Sequence, residues 1–261
     1  MCHIRKACGY KTRRMSSALH ANPSPDWHRH TTATEPTGPR DTVVYGEATP
    51  SEDSLKLLGS VEGSRVLDLG CGSGSNAVAL ARHGAKVIGV DPSADRLASA
   101  RDLAEASEVR VELHQANLAE LAFLRSDSID AVISVMALAE VDDLARVFRQ
   151  VHRVLKPGAP LVVSLPHPAF SMFDPTAEDP LRAVRAYDQT DPVPWSPDGD
   201  VMVTDHPRTI AAVFTTLLRA SFGVDQVLEP TARPGGAPHL ASDLARLVPP
   251  TLLIRARKQG N

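Results

Sequence analysis

Aromatic residues make up 4% of this 261-residue chain, so aliphatic packing by Leu, Val and Ala must build its core. Cysteine is equally sparse. Cys2, Cys8 and Cys71 form neither an even disulfide framework nor a clustered ligand set, which excludes a disulfide scaffold and suggests a reducing compartment. His28 and His30, even with Cys2 and Cys8, lack zinc spacing, so no metal site is expected. No uninterrupted apolar run approaches the ~18 residues of a membrane span, and the N-terminus lacks the apolar block of a signal peptide. The expectation is a soluble cytoplasmic protein with no membrane partner. One α/β domain with a variable cap accounts for the length.

Negative charge is scarce at one end only. Residues 1–40 carry seven Lys or Arg against two Asp or Glu, while residues 41–261 carry 21 against 29. A body of net charge −8 suits a nucleic-acid partner poorly, because that affinity rests on phosphate neutralisation. A small-molecule partner and no nucleic acid are therefore expected, with room left for a homodimer. The basic segment is rich in Pro, Thr, His and Arg, has no periodicity, and reads as a disordered tail.

From residue 41 onward one domain is expected, with strand and helix in regular alternation. Arg65 to Leu69 reads as a buried strand and Ser75 to His83 as a helix ending at Gly84. Lys86 to Val90 is the second strand, followed by a helix from Pro92-Ser93 to about Ser107. Val109 to His114 is the third strand, Leu118 to Leu124 a short helix, and Ser128 to Val135 the fourth strand. A helix starts at Asp142-Asp143 and carries Leu144, Val147, Phe148, Val151 and Leu155 on its apolar face. Pro160 to Leu165 is the fifth strand. Such alternation implies a doubly wound α/β fold with a mostly parallel sheet. Residues 166–207 break the pattern with three Asp-Pro pairs, and their length suggests a substrate-side insert or lid. Ile210 to Phe222 resumes as a helix stopped by Gly223, and two more strands follow.

The chemistry is concentrated in Val66 to Gly74 (V-L-D-L-G-C-G-S-G) and Val87 to Asp91 (V-I-G-V-D). Gly70, Gly72 and Gly74 let a backbone turn tightly and approach a ligand without Cβ atoms intervening. Asp68 precedes the turn, where it can organise the loop or meet an ammonium group. Asp91, with Pro92 beside it, ends the next strand, where a carboxylate can accept from both ribose hydroxyls. A dinucleotide fingerprint wants glycine at the sixth position, which here is Ser75. The spacing therefore favours a nucleoside with a zwitterionic tail, and a nicotinamide-dependent oxidoreductase is the runner-up. A catalytically inactive nucleoside-binding regulator is the third reading.

Other loops leave the same strand ends. Asn117 and Leu118 follow the third strand, and Ser134 and Met136 close the fourth. His167, between Pro166 and Pro168, is the first candidate for a base, and His206 the second. Tyr45, Trp195 and Arg208 are candidates for holding the acceptor: the aromatics against a flat ring, Arg208 against an acidic group.

Together the Val66 to Gly74 loop, Asp91, the strand Ser128 to Ser134 and the Arg153 to Gly158 turn (R-V-L-K-P-G) resemble a class I S-adenosylmethionine-dependent methyltransferase. More narrowly the chain is similar to small actinobacterial-type enzymes called type 11 methyltransferases, over roughly residues 43–258. The resemblance implies a seven-stranded Rossmann-like sheet with an antiparallel last strand and S-adenosyl-L-methionine along its C-terminal edge. It implies Asp68 and Gly70 at the methionine tail, Asp91 at the ribose, and Asn117 and Leu118 at the adenine; Ser134 and Met136, by their place after the fourth strand, would border the sulfur. It implies methyl transfer to oxygen, nitrogen or carbon of a small molecule. Many relatives carry histidine shortly after the fourth strand; this chain has Leu138, Ala139 and Glu140 there.

Overall fold

The structure, a computed structural model, describes residues 38–46, 48–174, 178–195, 203–231 and 243–260. Of the expected tail, residues 1–37 lie outside the described residues. Residues 38–40 already belong to the body: Ser75 Oγ donates to the Gly38 carbonyl and Arg82 reaches the Arg40 carbonyl.

Seven strands form one sheet in the order β3-β2-β1-β4-β5-β9-β8. They are β1 (Arg65–Leu69), β2 (Lys86–Asp91), β3 (Val111–Gln115), β4 (Ala131–Val135), β5 (Pro160–Pro166), β8 (Phe222–Leu228) and β9 (Thr251–Lys258). β1 to β5 run parallel, whereas β9 is antiparallel to both β5 and β8. This is the expected Rossmann-like sheet with its last strand reversed. β6 (Val193–Trp195) and β7 (Val203–Asp205) form a separate hairpin inside the insert.

The helices are α1 (Glu52–Leu55), α2 (Ser75–Arg82), α3 (Ala94–Ala106), α4 (Leu144–Val154), α5 (Ile210–Arg219) and α6 (Asp243–Leu247). Local chemistry sets their starts. Ser93, Asp143 and Thr209 each accept from a backbone N–H of their helix's first turn, which satisfies a donor the helix leaves over. Strand alternation then sorts the core onto two faces. Leu67, Leu69, Val132 and Val163 pack with Val147, Phe148 and Leu217 on one face; Val66, Ile133 and Val162 pack with Tyr45, Leu57 and Leu80 on the other.

Three local expectations are corrected. Residues 118–124 form successive turns, not a helix: the Glu120 and Leu124 N–H groups each bond three residues back, to Asn117 and Leu121, and the Arg153 guanidinium caps the Leu121 and Leu124 carbonyls. β4 begins at Ala131 because the preceding stretch bonds elsewhere. Asp130 accepts from the Arg65 N–H and from Lys156 Nζ, and the Ser128 N–H goes to Val154. α5 stops at Arg219, where Ser221 (φ +61°) reverses the chain before Gly223 is reached. Phe222 then starts β8 and meets Phe148 edge-on at 6.3 Å.

The order reverses between β1 and β4, and at such a switch point the C-terminal strand ends open a crevice. The loops following β1, β2, β3 and β4 all leave from that edge.

Candidate active site

The loop after β1 is tied to β2 at three points. The Gly70 and Cys71 N–H groups both donate to the Val90 carbonyl, at 2.7 and 3.0 Å. The Gly72 N–H donates to Asp91 Oδ2 at 2.9 Å. Asp91 Oδ1 accepts from the Ser93 N–H, also at 2.9 Å. The carboxylate is 2% exposed, so this buried charge is held by two backbone donors, one from the loop and one from the cap of α3. Asp68 is buried one strand away, in register with Gly89 and Ile133.

The three glycines have different duties. Gly70 (φ +80°) sits against the turn after β4, where a Cβ would collide with Ala137 Cβ. Gly72 (φ +53°) presents its N–H to Asp91. At Gly74 (φ +86°) a Cβ would lie 2.8 Å from Ala100 Cβ and 3.1 Å from its Cα. Gly74 therefore permits α2 to pack closely on α3.

Of the other predicted residues at this edge, Leu118 is buried with Cδ1 beside Gly70. Asn117 is exposed; its Oδ1 accepts from the Ala119 N–H. Pro92 is exposed beside Asp91. Ser134 is wholly buried and its hydroxyl donates to the Leu69 carbonyl at 2.6 Å; it joins β4 to β1 and is not available to a ligand. Met136 turns the chain in left-handed backbone (φ +60°), with Cε against Gly46. Such strain in a non-glycine residue persists only where surroundings enforce it. Here the Met136 N–H is anchored on the Ser164 carbonyl.

That turn, a 3₁₀ segment over Ala137–Glu140, connects two sites. Ala137 touches Gly70, and Ala139 lines a neighbouring pocket. The pocket's walls come from the end of β5, the insert, β7, residues 206–208 and Leu252 of β9. Two predicted residues, His206 and Arg208, line it. The His206 N–H donates to the Ala139 carbonyl at 2.8 Å, and its ring Nδ1 lies 3.6 Å from Asp142 Oδ1.

Arg208 does not await an acidic ligand. Its guanidinium donates to the carbonyls of Leu138, Val141, Asp142 and His206, pinning the post-β4 turn to the pocket wall. Burial lowers its pKa, and Asp142 opposes that shift.

His167 is also corrected. It is 4% exposed, its Nδ1 accepts from the Ala169 N–H at 3.1 Å, and Nε2 meets Glu229 Oε1 at 2.8 Å. With Nδ1 an acceptor, Nε2 carries the proton and donates to the carboxylate. Both nitrogens are engaged, and the ring ties β5 to the end of β8. Tyr45 is 0% exposed in the core beneath the sheet, where its hydroxyl donates to Glu52 Oε2 at 2.7 Å. Burial, and then Glu52, push its phenol pKa far upward. It cannot contact an acceptor. Trp195 ends β6 opposite Val203; its side chain lies outside the described residues.

Residues 66–158 match the family model for a methyltransferase domain. An S-adenosylmethionine-dependent methyltransferase of Mesorhizobium loti superposes with a TM-score of 0.65 and 32% identity, over 78% of this chain and 95% of that one. One from Listeria monocytogenes gives 0.67 and 28%, over 80% and 96%. The chain belongs to the class I S-adenosylmethionine-dependent methyltransferases. Among curated proteins, the ubiquinone biosynthesis O-methyltransferase of Alkalilimnicola ehrlichii is 40% identical over 127 residues, 46% of this chain and 51% of that protein. The chain thus spans about half the length of the curated relatives it matches. Membership in this methyltransferase class removes the oxidoreductase reading, as Ser75 in the sixth position suggested.

Two pocket residues escaped the sequence. Arg185 and Asp205 both line the cavity, 8% and 7% exposed. Burial lowers the Arg185 guanidinium to about 10, while Asp174 and Asp205 pull it back up. The insert has no periodicity to show which side chains point inward, so nothing marked them.

Proposed function

We propose that this protein transfers the methyl group of S-adenosyl-L-methionine to a small molecule held in the pocket beneath the insert, residues 166–207. The observation that carries the proposal is the Ala137–Glu140 turn, which has Ala137 on the glycine bend and Ala139 in the pocket wall. One short element therefore adjoins both compartments, as transfer between them requires.

The residues at the strand edge suit this cofactor. Asp91 offers a buried carboxylate whose two oxygens each accept one backbone N–H, leaving lone-pair capacity for the ribose diol. Leu118 gives adenine an apolar neighbour. The first turn of α2 has no side-chain cap, and its N–H groups favour the methionine carboxylate. When bound, the cofactor supplies an electrophilic methyl group on a sulfonium. The chain's own part is alignment and exclusion of water, which is worth on the order of 7–11 kcal/mol in favourable cases.

His206 is the group we assign to proton removal from the acceptor. It lines the pocket, its backbone is fixed to Ala139, and Asp142 lies on the Nδ1 side of its ring. We further read the protein as cytoplasmic and without a nucleic-acid partner, supported by the acidic body. Among the described residues no helix is long and apolar enough to cross a membrane.

The test is incubation of purified protein with a cell extract and heavy-methyl S-adenosylmethionine, followed by mass spectrometry. A small molecule heavier by one labelled methyl is the expected result, absent with Asp91→Ala. Incorporation equal to a protein-free control would remove the proposal.

A further inference from the structure

His206 and Arg208 grip the same short turn from either side of Pro207. The His206 N–H donates to the Ala139 carbonyl at 2.8 Å. The His206 carbonyl accepts from Arg208 Nη1, also at 2.8 Å. Arg208 Nη2 then returns to the chain just beyond the turn, donating to the carbonyls of Val141 and, at 2.9 Å, Asp142. One guanidinium therefore closes a ring of hydrogen bonds that runs from the turn through His206 and back. Pro207 stiffens that ring, because proline fixes the backbone between the two gripping residues.

The ring sits where the two compartments meet. On its other side the turn is held by the Met136 N–H on the Ser164 carbonyl of β5. Between these ties Ala137 lies on the glycine bend and Ala139 in the pocket wall. Arg208 itself directly follows the insert and precedes Thr209, which caps α5. The end of the insert is thus fastened to the sheet edge by a side chain outside residues 66–158, the part that the family model matches. Arginine suits this duty, because the two ends of its planar fork reach carbonyls on different sides at once. A lysine ammonium keeps the charge but donates from a single atom.

We propose, on the basis of the methyl-transfer reading above, that Arg208 is a positioning residue for the transfer. By closing the ring between His206 and the Ala137–Glu140 turn, it holds the acceptor pocket in register with the cofactor crevice. Its effect falls on alignment of the reacting groups, where a misplacement of about 1 Å can cost on the order of a hundredfold in rate.

The experiment measures initial rates of labelled-product formation with the full chain, saturating heavy-methyl S-adenosylmethionine and a dilution series of cell extract. Parent, Arg208→Lys and Arg208→Ala are compared, with melting curves to establish that each is folded. Both variants should lose roughly ten- to hundredfold in maximal rate. The half-saturating extract concentration and the calorimetric affinity for S-adenosylhomocysteine should stay near the parent values. If Arg208→Ala does not fold, Arg208→Lys, which keeps the charge, decides. A parent-level rate in either folded variant overturns the proposal. So does a loss carried by half-saturation alone, which would make Arg208 an acceptor contact. A rate and a cofactor affinity that fall together, or unfolding of both variants, would make it a stability residue and overturn the proposal equally. In all these cases methyl transfer by the parent stands. No labelled product from the parent overturns methyl transfer, and the positioning role with it.

Discussion

Gly72 and Asp91 are joined by a hydrogen bond of 2.9 Å from the loop N–H to carboxylate Oδ2. The acid we propose as the ribose partner therefore also holds the glycine bend in shape. Removing it has two consequences. Asp91→Ala should destabilise the fold by about 1.5–3 kcal/mol for each charged hydrogen bond lost, visible as a fall in the thermal midpoint without any ligand. Asp91→Asn keeps one acceptor oxygen and should lose roughly half as much.

Gly74 should behave as a packing residue. Gly74→Ala places a methyl 2.8 Å from Ala100 Cβ and should cost about 1–3 kcal/mol. Adding Ala100→Gly should restore part of this and leave the cost of the left-handed backbone. Denaturant unfolding of the two single variants and the double variant checks the coupling. Strict additivity would contradict the contact.

The two histidines should separate by phenotype. His206→Ala should lower turnover of the labelled acceptor roughly a hundred- to ten-thousandfold, the range for a lost general base, with little change in S-adenosylhomocysteine affinity. His167→Ala should act first on stability, because it removes the link from β5 to Glu229. Paired melting curves and turnover assays distinguish the two. A turnover loss confined to a fully folded His167 variant would reverse the assignment.

Asp225 sits at a bulge in β8, between Val224 and Gln226, and receives Arg255 Nε and Arg257 Nε at 2.8 Å each. Burial alone would raise its carboxyl pKa, but the two arginines outweigh that and hold it below the usual carboxylate range. A carboxyl lowered on folding stabilises the protein above its unfolded pKa and loses that contribution as pH falls through the folded value. The stability gap between parent and Asp225→Asn should therefore be full near neutrality and shrink in acid. Urea unfolding at a series of pH values measures it, and a gap that widens in acid would contradict the pairing.

The strands were legible because buried parallel strands read as short apolar runs between glycines. The glycine bend and Asp91 were legible because close backbone approach restricts which residues can occupy those positions. What sequence could not convey was the partner of each side chain. Tyr45 resembled an exposed loop aromatic until Glu52 supplied an acceptor for its hydroxyl. Arg208 resembled an anion binder, yet backbone carbonyls 66 to 70 residues away claim its guanidinium. His167 was rightly placed at the end of β5 but faces Glu229, 62 residues on. Arg185 and Asp205 belong to a segment whose order comes from tertiary packing, without a repeating pattern to read.

Isothermal titration of the parent protein and of Asp91→Ala with S-adenosylhomocysteine, with NAD as the competing ligand, tests the central claim most directly. The account predicts saturable binding to the parent, a loss of at least roughly tenfold in the variant from removed hydrogen bonds to a charged group, and no heat with NAD. Equal affinity in parent and variant, or preference for NAD, would contradict it.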